Sequence, residues 1–148
     1  LAAALLQQGD TRATATLLET ALARFPRSAA LLARRGDLLA AQRDPGARAA
    51  YGQALALDPR SPEAVIGLAS FDLAAGRTAA ARQLLEQALA RDPARVDLLL
   101  ELGTTLQAAG DSAAAERIYR RVLELVPGDV VAPVELSGIL RRTGREAD

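Results

Sequence analysis

Four prolines set the frame. Pro26, Pro59, Pro93 and Pro127 follow one another at 33, 34 and 34 residues, inside the phrases ALARFPRS at 21–28, ALALDPRS at 54–61, ALARDPAR at 88–95 and VLELVPGD at 122–129. A second series, Gly9, Arg43, Gly76, Gly110 and Gly144, interleaves with them at 34, 33, 34 and 34 residues, so one residue is missing from the second half of the unit that contains Arg43. A chain that repeats at this interval builds units too small to bury their own apolar faces. Such units must stack on their neighbours.

The two series punctuate helices. Proline cannot continue a helix, and glycine takes the left-handed conformation that closes one. Thr11, Asp44, Thr78 and Ser112 are candidate N-caps after the glycine series, as are Ser28, Ser61 and Asp129 after the prolines. Pro45 and Pro62 suit the first helical turn. Between these marks apolar residues recur at three and four, as in Ala81, Leu84, Leu85, Ala88 and Leu89. Nowhere does the pattern alternate over a strand's length. The spacing predicts nine helices, at 1–8, 12–24, 28–41, 45–57, 62–75, 78–91, 96–109, 112–125 and 130–143.

Composition excludes whole classes of chemistry. All 18 cations are Arg, balanced by 18 acids, and there is no Lys, His, Cys, Met or Trp. Imidazole bases, thiol nucleophiles, Schiff-base amines and the common soft metal ligands are therefore missing. Zero net charge and few aromatics speak against nucleic-acid binding. The apolar start Leu1–Leu6 is far shorter than a membrane span and lacks the flanks of a signal peptide. The Ala, Leu and Arg bias points to a GC-rich bacterial genome and leaves cytoplasm and periplasm open. With no initiator Met, the chain reads as a piece of a longer protein.

The repeat resembles the tetratricopeptide repeat (TPR) family. In 96–129 the family's positions are filled by Leu99, Leu102, Gly103, Leu106, Ala115, Tyr119 and Pro127. In 62–95 they are Val65, Leu68, Ala69, Ala81, Leu85 and Pro93, with Asp72 where a large residue belongs. In 29–61 they are Leu32, Gly36, Leu39, Ala47, Tyr51 and Pro59, with Arg35 in place of Leu. The half unit before keeps Leu18 and Pro26 but has Thr14 for Ala, and the last half unit keeps Leu136, Ser137 and Leu140, with Pro133 in its first turn. The resemblance implies an all-α fold, an α-α superhelix or solenoid of stacked antiparallel helix pairs. It reads as one array over 1–148, with a partial repeat at 1–27, repeats at 28–61, 62–95 and 96–129, and the first helix of a further one at 130–148. Ala47, Ala81 and Ala115 would lie at close helix crossings, and Tyr51, Leu85 and Tyr119 would fill the space between pairs. The last helix would have no partner to cover Val130, Leu136 and Leu140.

The resemblance also implies a concave groove lined by the first helix of each pair, as the place where a partner protein's peptide or helix binds. Its lining would comprise Arg34, Asp37, Glu63, Ile66, Ser70, Asp97, Leu100, Glu101, Thr104, Val134 and Arg141. Small neighbours such as Ala30, Ala33, Ala40, Ala74 and Ala108 would leave it open and shallow, and Val131, Glu135, Gly138 and Arg142 would complete its last part. Ile66, Leu100 and Val134 form an apolar stripe at 34-residue spacing; ordinary interhelical contact explains such a stripe equally well. Some family members grip a terminal carboxylate with Lys, Asn and Arg. The matching positions here are Ala33, Asp37, Gly67, Asp97 and Glu101, which disfavours that mode. Acids outnumber bases except at Arg141 and Arg142, so a basic or apolar segment would be the better electrostatic match; a solvated mixed-charge face with no preference fits the same residues equally well. Arg35 and Asp72 either form a buried pair or tilt to solvent, and tilting is the simpler expectation. Glu63, Asp97 and Glu101 have neither ligand spacing nor an acid/base division of labour.

These readings favour a non-catalytic protein-interaction scaffold that needs no cofactor or metal, spans no membrane and binds another protein, with self-association through its terminal helices as a further option. The competing reading is the repeat region of a larger bacterial enzyme of glycosyltransferase or sulfotransferase type, or of an envelope or secretion assembly.

Overall fold

The structure, a computed structural model, describes residues 11–145. Within them it is built of helices α1 (Thr11–Arg24), α2 (Ala29–Ala41), α3 (Gly46–Leu57), α4 (Pro62–Ala74), α5 (Thr78–Arg91), α6 (Val96–Ala108), α7 (Ser112–Leu125) and α8 (Val131–Thr143). The described residues contain no strand. The helix expected at 1–8 and the turn at Gly9 lie outside them. In the first unit α1 packs on α2 and α2 on α3, and in the second α5 packs on α6, α6 on α7 and α7 on α8, so the fold is all-α. Two compact units divide at Phe71 and Asp72, inside α4.

The turns form as their residues dictate. Gly76, Gly110 and Gly144 have φ of 75°, 79° and 70°, and Arg43 joins them at 57°. At each, the next residue's N–H returns to the carbonyl five residues before it: Asp44 to Leu39, Arg77 to Asp72, Asp111 to Leu106 and Arg145 to Leu140, all at 2.8–2.9 Å. This bond gathers otherwise orphaned carbonyls at the helix end. Arg43 does so without glycine's freedom, at a cost of about 1–2 kcal/mol.

Caps follow the prolines as expected. Ser28 Oγ accepts from Leu31 N at 3.3 Å, Ser61 Oγ from Ala64 N at 3.3 Å, and Asp129 Oδ1 from Val131 N and Ala132 N at 2.9 and 2.7 Å. Asp44 Oδ1 accepts from Gly46 N at 2.7 Å. Two other starts fall one residue earlier than the sequence suggests. Asp111, not Ser112, caps α7 by accepting from Ala114 N at 3.0 Å, and Thr78 is already the first residue of α5. Gly76 and Gly110 reverse the chain so sharply that the residue directly after each is already the cap of the next helix.

The small positions are closed. Ala47, Ala81 and Ala115 are fully buried, as are Leu85 and Tyr119, with Tyr51 only 2% exposed. In the first unit a cluster of Leu32, Ala33, Ala54 and Ala64, edged by Leu22 and Leu55, joins α2, α3 and α4. Ala33 is therefore core, not groove. Asp72 is a second correction. It does not tilt to solvent but is 2% exposed, and Arg77 holds it through Nε at 2.9 Å and Nη2 at 2.8 Å. Arg35 is exposed, as expected. On α8, Val130 is 77% exposed, but Leu136 and Leu140 are half-buried, since α8 already rests on α7.

Candidate functional site

In the first unit the expected groove positions lie on α2 and α4, and Asp37 among them meets a buried tyrosine of α3, Tyr51. A Cβ built on Gly36 would come within 2.5 Å of the Tyr51 ring, and one on Gly67 within 2.4 Å, so the ring lies between two bare stretches of helix backbone. Its hydroxyl donates to Asp37 Oδ1 at 2.9 Å, and Arg34 Nη1 donates to Asp37 Oδ2 at 3.1 Å. Burial, and then the Asp37 carboxylate, hold the Tyr51 phenol far above its ordinary range. Glu63 is exposed and accepts from Ser61 Oγ at 3.1 Å. Ile66 is half-buried and Ser70 exposed.

In the second unit the same construction recurs on α6, α7 and α8. Tyr119 lies against Gly103, where a Cβ would meet its ring at 2.5 Å. Its hydroxyl accepts from Gln107 Nε2 at 3.0 Å and sits 3.4 Å from Thr104 Oγ1. Burial raises its pKa, against the pull of those two hydrogen bonds. Gln107 Nε2 also donates to Glu135 Oε2 at 2.7 Å, and Arg142 donates to Gln107 Oε1. One amide thus fastens α6 to α7 and α8. Gln107 is not among the expected groove residues, although it lies 34 residues before Arg141 and shares its register.

The other expected groove positions of this unit lie along α6 and α8. Asp97 is clasped by Arg95 through two bonds of 3.0 and 2.9 Å, and the Arg95 hydrogen bond holds its carboxyl below the usual range. Leu100 and Glu101 are half-buried, and the exposed Thr104 donates its hydroxyl to Leu100 O at 3.2 Å. On α8, Val131 and Val134 are 45% and 67% exposed, and Arg141 and Arg142 are exposed in the last turn. A Cβ on Gly138, between them, would meet only Arg142 Nη1, at 3.5 Å.

The structure therefore brings Arg34 to Asp37 and Thr104 to Tyr119, and couples the groove acids Asp37, Glu63 and Asp97 to neighbours of their own chain. Among the described residues no group of three or more His, Cys, Asp or Glu could hold a metal ion. Two surface cavities in the first unit, of about 290 and 190 Å³, share Arg35 and Leu39 and are lined by none of the expected groove residues. No helix among the described residues is long and apolar enough to cross a membrane.

Comparison with known proteins gives this arrangement its family. Tetratricopeptide repeat descriptions match residues 38–93 and 72–132, and a second one matches 1–46. The chain belongs to the tetratricopeptide repeat family. Its fold resembles that of MamA in a crystal structure (TM-score 0.78, 20% identity, over 99% of this chain and 86% of that one). It also resembles PilF of Pseudomonas aeruginosa (TM-score 0.85, 24% identity, over 97% of this chain and 66% of that one). A third similar structure is the first TPR of Spaghetti (RPAP3), bound to the HSP90 peptide SRMEEVD (TM-score 0.70, 24% identity, over 79% of this chain and 94% of that one). A search of curated proteins finds no match.

Proposed function

We propose that this TPR segment is a non-catalytic protein-interaction scaffold, and that the face lined by the first helix of each pair receives a peptide or helix of a partner protein. The carrying observation is the apolar series Ile66, Leu100 and Val134 at one register of the repeat, the first two of which are only half-buried. Apolar anchors ringed by polar groups are what peptide recognition requires. Family membership supports the same reading, and the RPAP3 domain with its HSP90 peptide is an instance of a related fold holding a peptide. In this reading the rest of the lining is Arg34, Asp37, Glu63, Ile66, Ser70, Asp97, Leu100, Glu101, Thr104 and Arg141. With no His, Cys or Lys in the sequence, imidazole, thiol and amine chemistry are missing from it.

The test is capture from a lysate of the source organism with the parent chain beside Val134→Asp, then calorimetry on the captured protein. The expected result is a partner held by the parent and lost by a variant of unchanged helicity. Equal capture by both would remove Val134 from the interface.

A further inference from the structure

The repeat at 96–129 buries Leu102 and Leu106 to 5% and 3% exposure, and α7 beside them carries Arg117 and Ile118. Two repeats earlier the same registers hold Arg35, a half-buried Leu39, Ala49 and Ala50. A cation stands where a leucine packs, and two methyl groups where longer chains lie, so space beside α2 goes unfilled. It takes the form of the two surface cavities that share Arg35 and Leu39. The larger, about 290 Å³, lies against Gly46, Ala49 and Ala50 of α3. The smaller, about 190 Å³, lies against Leu18 and Leu22 of α1 and Leu38 of α2. Both are walled by helices packed on α2. Each cavity adds one carboxylate and one amide to the shared arginine: Asp44 and Gln53 in the larger, Glu19 and Gln42 in the smaller. No other charged side chain lines either one, the nearby Arg43 included. Among the described residues no hydrogen bond or ion pair engages the Arg35 or Glu19 side chain. Asp44 uses only Oδ1, on Gly46 N.

We propose that these two cavities together form a site for a small free amino acid with a basic side chain. The site shares no residue with the groove and does not rest on the groove reading above. The ligand's carboxylate meets Arg35, whose planar fork takes it through two parallel bonds. Its α-ammonium meets Asp44 beside the alanine wall. Its aliphatic stem lies on Leu39 and Leu22 and carries the second cation to Glu19. Charge complementarity selects this occupant: one cation and two carboxylates of the protein face one carboxylate and two cations of the ligand. A dicarboxylic acid would bring a second anion against two carboxylates, and an amino acid with an uncharged side chain would leave Glu19 unmet. The space agrees. The larger cavity, at about 290 Å³, stands at the lower edge of ligand cavities, which run from about 300 to 1,000 Å³. A molecule of amino-acid size suits it better than a nucleotide.

The experiment follows amide NMR spectra of the isotope-labelled chain at low salt as L-lysine, L-leucine, L-glutamate or N-acetyl-lysine methylamide is added. Lysine should move the amides of residues lining the cavities, Leu39, Asp44, Gly46 and Gln53 among them, along saturable curves. Leucine should bind more weakly and glutamate not at all. Arg35→Leu, which restores the residue type of the later repeat, and Glu19→Gln should each weaken lysine about two- to fivefold. High salt should narrow the difference. Glu19→Gln should leave leucine unchanged. Melting temperature serves as the control of fold for both variants, and Arg35→Leu should not lower it. Glutamate binding as tightly as lysine overturns the charge assignment. Equal binding of the blocked lysine, which has neither free end, overturns the free amino acid in favour of a lysine side chain of a partner protein. Lysine shifts that fail to saturate, or that neither variant changes, overturn the site itself.

Discussion

Adding one methyl group to Gly67 is a sharp test of how the first unit is held together. In α4 an alanine should help the helix by about 1 kcal/mol, because it has less backbone freedom to lose. The new Cβ, however, would lie 2.4 Å from Tyr51 Cε1, 2.6 Å from Cζ and 2.8 Å from the hydroxyl oxygen, where carbon atoms rest at about 3.5–4 Å. The ring has no room to retreat. It is 2% exposed, its other side faces Gly36, and its hydroxyl is tied to Asp37. Overfilling such a site costs about 1–3 kcal/mol, and a displaced hydroxyl loses a bond worth about 1 kcal/mol. The net expectation for Gly67→Ala is a loss of about 1–3 kcal/mol, or roughly 2–10 °C in a chain of this size. Gly52→Ala in α3 is the control, since a Cβ there meets nothing within 4 Å, and it should raise stability by about 1 kcal/mol. Thermal and guanidinium unfolding monitored at 222 nm would read both. Repeating Gly67→Ala in a Tyr51→Leu background should erase most of its cost, a coupling above about 1 kcal/mol. If Gly67→Ala stabilises as Gly52→Ala does, the ring is not clamped and the account of this unit fails.

Arg43→Gly removes the strain of a side chain at φ 57° and should gain about 1 kcal/mol, read as a higher melting temperature. Arg77→Ala strips a bidentate-length contact from buried Asp72 and should cost about 1–3 kcal/mol in guanidinium unfolding. Asp97 has a folded pKa depressed mainly by Arg95, so its small contribution is present above the unfolded Asp value, about 3.9, and fades as pH falls through the folded one. Carboxyl NMR titration of Arg95→Ala should show that pKa rise. Both tyrosines have raised folded pKa values, so their contribution is whole below the unfolded value of about 10 and declines as pH rises beyond it. Absorbance at 295 nm should then climb together with loss of helicity rather than along the curve of a free phenol.

The punctuation of the chain was legible because each mark has a single physical meaning. Arg43 shows how far this goes: its place in the glycine series alone announces a left-handed residue, which its side chain would not suggest. Ala47, Ala81 and Ala115 were legible for the same reason, since only a small side chain fits a close crossing. The features that escaped depend on partners brought close through a turn. Asp72 breaks the apolar pattern, and only the reversal at Gly76 swings Arg77 back onto it. Glu116, buried at 5%, reads as surface on α7, because its partner Arg145 is 29 residues away. Register alone puts Ala33 in the groove, yet the Leu32 and Ala64 cluster encloses it.

The four turns also have a direction. The residue after the left-handed position is Asp44, Arg77, Asp111 or Arg145. The two aspartates reach forward and bind N–H groups of the helix about to begin. The two arginines reach back, Arg77 to Asp72 and Arg145 to Glu116, which Arg120 also holds at 2.5 Å. An aspartate turn therefore ties its fate to the next helix, and an arginine turn to the helices already passed. At the last described turn, this couples neighbouring helices. Helix α8 cannot leave without breaking Arg145 from Glu116 on α7, and Arg121 of α7 is in turn fastened to the carbonyl of Pro93, ahead of α6. The amides of α7 and α8 should thus exchange with solvent as one block, opening together rather than one helix at a time.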